Sequence, residues 1–169
     1  MFFSMVVLKK KTFFKHLYWV YFLTLGLSLI IVALILLAPY LLSKNQRIGY
    51  LVYAVFAPFC HQSPERCFFL WGYPLAVCGR CTGIYLGFLL GTLIYPLTGA
   101  LARPVIPRVS YFLLCSLPIS LDTLGNFSHF WSTPIWGRWA TGLIWGLILP
   151  FYFIYGLSEA ISRKSHSST

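Results

Sequence analysis

The sequence predicts an all-α integral membrane protein, a four-span helical bundle with an extra short interfacial or re-entrant helix before a cysteine-rich loop. Composition is the first reason. Of 169 residues, 59% are hydrophobic and 9% are charged, against roughly 45–50% and about 25% in soluble domains. A soluble globule of this length has too little interior to hide so much apolar surface. The second reason is that the apolar residues form long runs separated by short basic segments. Lys and Arg outnumber Asp and Glu thirteen to three, a formal charge of +10. The sequence leaves no room for a soluble domain, which excludes catalysis that needs a folded aqueous core. Phosphate-binding loops and nucleic-acid modules are absent, so no nucleic-acid partner is expected.

Spanning takes about 20 mostly apolar residues. Residues 1–16 form a basic segment, and Lys9, Lys10, Lys11 and Lys15 resemble the start of a secretory signal. The uncharged run 17–42 behind them is longer than a signal core and lacks a small-residue cleavage site, which predicts an uncleaved signal anchor. A cysteine-rich loop follows at 43–81. Within it, Ile48–Phe59 is apolar but too short to cross at ~1.5 Å per residue. Further spans are expected at 82–102, at 109–127 (interrupted by Pro118) and at 139–158, completing one transmembrane domain over 17–158. A short tail at 159–169 closes the chain.

Lys and Arg favour the cytoplasmic side of short loops. With four spans, both termini cytoplasmic and a plasma-membrane location, Lys9, Lys10, Lys11, Lys15, Arg103, Arg108, Arg163 and Lys164 lie inside. Lys44, Arg47, Arg66, Arg80 and Arg138 lie outside. If Ile48–Phe59 crossed, the later spans would invert and the bias would shrink. The excess positive charge suits anionic lipid heads. This topology brings loop 43–81, the outer end of the third span and loop 128–138 to one side of the bilayer.

That side holds the chemistry. Four of the five cysteines fall in Cys60-His61-Gln62-Ser63-Pro64-Glu65-Arg66-Cys67 and Cys78-Gly79-Arg80-Cys81. A C-x-x-C turn places two sulfurs beside one ion, and Cys60 and His61 can complete a shell with Cys78 and Cys81. Thiolates select zinc or another transition metal over magnesium or calcium. Neighbouring Cys and His point apart in extended chain, so joint ligation needs an unusual turn, and Cys67 competes. The same residues admit redox exchange: Cys78 and Cys81 precede a helix, whose positive end and Arg80 favour thiolate. Cys78 would then be the nucleophile and Cys81 the resolving thiol, with a membrane quinone as electron acceptor. A structural staple, oxidised or zinc-bound, is the third reading. Cys115 stands alone in the third span as a small core residue.

The stretch CHQSPERCFFLWGYPLAVCGRCTGIYLGFLLG resembles a family of small prokaryotic membrane proteins catalogued as domain of unknown function 2085. Its pattern is CHQ-x-PER-x-F, then C-x-RCTGIYxG, then an aspartate, an amide and R-x-x-TG, which fall here on Asp122, Asn126 and Arg138–Gly142. The resemblance covers about Tyr50–Gly146 and implies a multi-span fold without an assigned activity. Cys67 stands where the family usually has serine, and Asn126 where it has glutamine. The shared set Cys60, His61, Cys78 and Cys81 therefore favours metal.

Asp122 is the only acid inside a predicted span, and a carboxylate in hydrocarbon is functional or paired by default. Near the outer end of its helix it can meet Arg80 or Arg138. Asn126, one turn later, shares its face. These four form a predicted polar binding site. A local echo links Trp71-x-x-Pro74, Gly79-Arg80, Thr82-Gly83, Gly87 and Gly91 to Trp131-x-x-Pro134, Gly137-Arg138, Thr141-Gly142 and Gly146. Small residues every fourth position let membrane helices approach closely. They offer faces either to each other or to partner subunits, so a non-enzymatic subunit of a larger membrane complex also fits. So does a protein that handles ions or lipid headgroups.

Overall fold

The computed structural model describes residues 2–101 and 106–167, with side chains over 13–101 and 106–163. Arg103, and the side chains of Lys9, Lys10, Lys11 and Lys164, lie outside the described residues. Helix α1 runs Phe2–Ser43, so the basic segment before residue 17 continues the helix of the first span. Left-handed Asn45 (φ 56°) turns the chain into α2, Ile48–Phe56. At 9 residues α2 extends only about 14 Å, less than half of a bilayer core.

A 3₁₀ turn, Pro64–Arg66, precedes strands β1 (Phe69–Leu70) and β2 (Tyr73–Pro74). They pair antiparallel, Phe69 with Pro74 and Leu70 with Tyr73. Trp71 (φ 52°) and Gly72 (φ 82°) make the connection, both left-handed as a two-residue type I′ hairpin requires. The sequence carries no strand signal here, because two residues a side are too few to establish alternation.

Helix α3, Gly79–Ile94, starts and stops earlier than the span expected at 82–102. Pro96 has no N–H to continue the ladder, and Gly99 (φ 74°) turns the chain away. Helix α4, Val109–Phe127, runs through Pro118 unbroken and coincides with the expected third span. Helix α5, Ile135–Ser167, outlasts the span expected at 139–158 at both ends. Among the described residues, two helical segments, Phe13–Ser43 and Ile135–Arg163, are long and apolar enough to cross a membrane. The surface is correspondingly apolar: Trp19 is 67% exposed, Phe22 64% and Leu124 64%.

Helices α3 and α5 run parallel along a seam of glycines. A Cβ on Gly83 would strike the Trp139 carbonyl, and one on Gly142 the Arg80 carbonyl; Gly87 likewise meets the Leu143 carbonyl, and Gly146 that of Ile84. The two sets of contacts are reciprocal, so a local two-fold axis along the helices relates the glycine-bearing segments of α3 and α5. Helix α1 packs antiparallel to this pair. Its early residues Leu17, Val20 and Tyr21 join Tyr95, Ala100 and Ile154 in one apolar cluster. Its later residues Ile35 and Ala38 join Phe56, Cys60 and Leu75–Val77 in another. That second cluster is the floor on which the cysteines sit.

Candidate metal centre

After α2 the Cys60 N–H still bonds to the Phe56 carbonyl at 3.0 Å, and the chain then leaves the helix. Cys60 is turned inward, where it is 7% exposed, and His61 beside it is exposed. Gln62 is held left-handed (φ 50°). Its Nε2 donates to the Tyr53 carbonyl at 2.7 Å and to the Ala76 carbonyl at 2.8 Å. This amide ties the Cys60 segment to the fully buried run Leu75-Ala76-Val77, which delivers Cys78. Cys78 is the N-cap of α3, and its backbone N–H donates to Cys60 Sγ at 3.2 Å. Cys81 lies within the first turn.

The result is a triangle: the Sγ atoms of Cys60, Cys78 and Cys81 all lie within 4.8 Å of one another. None of the cysteines is disulfide-bonded. Thiol donation from Cys78 and then Cys81, helped by the backbone N–H groups of Cys78 and Gln62, holds Cys60 well below the ordinary thiol range. Cys81, as a donor to Cys60 and a neighbour of Cys78, is pushed up. Cys67 is buried close by, and burial, followed by the charges of Cys78 and Cys60, raises it to about 12.

The donor set suits a soft or borderline ion. Sulfurs bound to tetrahedral zinc at about 2.3 Å sit about 3.8 Å apart, and the triangle needs only a small contraction to reach that. The structure does not bring His61 into the group: Cys60 is buried and the His61 beside it is exposed. Cys67 and Cys115 also lie outside it.

Arg80, between Cys78 and Cys81, leads into a second polar assembly. Its Nη2 pairs with Asp122 Oδ2; the side chains are 19% and 6% exposed. Asp122 Oδ1 accepts from the Thr133 hydroxyl and from Asn126 Nδ2 at 2.9 Å. That same Nδ2 lies 2.8 Å from Thr133 Oγ1. Arg138 donates through Nε to the Thr133 carbonyl at 2.9 Å and through Nη2 to Asn126 Oδ1. Arg80, Asp122, Asn126 and Arg138 thus share one network. Thr133 is the member that the sequence does not announce. One of three hydroxyls in an aromatic loop looks ordinary until left-handed His129 (φ 58°) folds that loop back over α4.

A family model described as "Predicted membrane protein (DUF2085)" matches residues 60–152, a stretch that includes all three triangle cysteines and the whole polar network. An uncharacterized protein of Methanocaldococcus jannaschii is 34% identical over 151 residues, covering 85% of this chain and 97% of that protein. An uncharacterized protein of Methanothermobacter thermautotrophicus is 61% identical over 28 residues, 17% of this chain and 25% of that protein. No solved structure matches.

Proposed function

This chain belongs to the family of predicted membrane proteins catalogued as domain of unknown function 2085, and on that premise we propose that it binds a transition metal ion, zinc by preference, outside the cytoplasm. Cys60, Cys78 and Cys81 would hold the ion, leaving a fourth position for Cys67, for His61 after a local backbone turn, or for water. The observation that carries the reading is the convergence of three sulfurs from two separate sequence segments within 4.8 Å. Three thiolates and one open position give a zinc site Lewis acidity towards whatever occupies the fourth place. The backbone N–H groups on Cys60 are the outer-sphere contacts that orient such a ligand.

The four-span, both-termini-inside topology is part of the proposal. It is supported by α1 and α4 running antiparallel to the α3/α5 pair, and by the leucines that α4 exposes on its outer face. Elemental analysis of reduced, purified protein tests the metal: about one ion per chain is expected, lost in Cys60→Ser and kept in Cys115→Ser. His61→Ala reports whether His61 takes the fourth place. Reduced protein with free thiols and no metal would overturn the reading.

The thiolate held on Cys60 favours a second reading. Cys60 and a neighbouring thiol would close a disulfide, passing two electrons and two protons to a membrane quinone. Cys60, not Cys78, would then be the first thiol to react. Quinone-dependent formation of a Cys60 disulfide in metal-free protein is its signature.

A further inference from the structure

We propose that Arg66, Arg80 and Arg138 form a binding site for a tetrahedral oxyanion, a phosphate group either free or carried as a phospholipid headgroup. The three residues come from separate elements that meet at Gly79. A Cβ there would lie 3.4 Å from the Arg66 carbonyl oxygen and 3.2 Å from that of Ile135. The 3₁₀ turn, the start of α3 and the start of α5 therefore share one small region, and the charges of Arg66 and Arg80 both act on Arg138.

The charge inventory of this region does not balance. Asp122 is the only carboxylate in the network, and it is paired with Arg80. Glu65, beside Arg66, is exposed and forms no ion pair among the described residues. Two guanidinium charges are left without a protein counter-ion.

Hydrogen-bond donors are also left over. Arg80 Nε finds no partner among the described residues, a buried polar group that calls for an explanation. Arg138 is locked through Nε and Nη2, which leaves Nη1 free among the described residues. Arg66 has no side-chain bond there either. Guanidinium forks match the oxygens of phosphate. The parallel packing of α3 and α5 adds two helix N-termini, whose positive ends favour an anion at the same place. Trp136, 66% exposed and packed on Phe68 at 4.9 Å between ring centroids, gives the rim an aromatic residue suited to headgroup depth.

The test is the thermal unfolding midpoint of the full chain, titrated with inorganic phosphate against chloride at equal ionic strength. A second arm uses the protein in a phosphate-free maltoside detergent with and without added phosphatidylglycerol. A bound ligand raises the midpoint. A preference for phosphate identifies a free anion, and a preference for phosphatidylglycerol alone identifies a headgroup. Either supports the site if Arg66→Gln and Arg138→Gln each weaken apparent affinity roughly tenfold. Arg66 is exposed and unbonded, so Arg66→Gln should keep the unliganded midpoint and the metal content of the parent. Equal response to phosphate and chloride together with no response to added phosphatidylglycerol overturns the proposal. So does a preference that survives Arg66→Gln.

Discussion

The α3–α5 seam and the attachment of α4 join helices in opposite ways. Along the seam, glycines bring backbone against backbone, and cohesion comes from dispersion over a close, featureless contact. Helix α4 buries only Asp122 and Gly125 and is held by polar links at three levels. The Asp122 network lies at one end. Trp145 Nε1 donates to Ser116 Oγ at 3.0 Å in the middle. Tyr152 Oη donates to the Pro107 and Arg108 carbonyls at 3.1 Å at the other end. In hydrocarbon, apolar burial between helices gains nothing over lipid, so close packing and hydrogen bonds are the available forces. The seam uses the first, and α4 uses the second.

Substitutions separate the two modes. Asp122→Ala should have the largest effect, about 3 kcal/mol of unfolding free energy, because it leaves Arg80 largely buried without its counter-ion. Limited proteolysis of the loop at 128–134 should accelerate with it. A loss below about 1 kcal/mol would mean that α4 does not depend on its polar anchor. Gly87→Ala comes next, at about 2 kcal/mol of destabilisation in the same measurement, since the new methyl meets the Leu143 carbonyl and the backbones must part. Its sign is decisive, because helix propensity alone would make alanine stabilising by up to about 1 kcal/mol. Gly146→Ala, at the reciprocal position, should cost a similar amount, and a marked inequality would break the local two-fold relation. The smallest effect belongs to Ser116→Ala, about 0.6 kcal/mol in the same assay, typical of an interhelical hydrogen bond in a membrane.

Some of this was legible in the chain. The length of 48–59 told against a crossing, and α2 is indeed short. Asp122, Arg80, Asn126 and Arg138 were marked by the cost of charge near hydrocarbon, and the structure joins them. Cys60 and the C-x-x-C pair were marked by residue type. His61 was marked by the same reasoning, yet it is exposed beside the buried Cys60. Thr133 had no signal, because a hydroxyl in a loop gains meaning only from what folds against it, and Arg66 was marked only by its place in the PER segment and on the outer side. The hairpin at 69–74 was too short to show a pattern.

The amino-acid sequence by itself determined that this protein belongs in a membrane and which polar residues must find partners there, because solvation cost is a property of each residue and its apolar surroundings. Only the tertiary structure decided which partners meet. The glycine seam sets two helix starts side by side and so brings Arg80 near Arg138, while the Gln62 amide ties the Cys60 segment to the run before Cys78 and closes the thiol triangle.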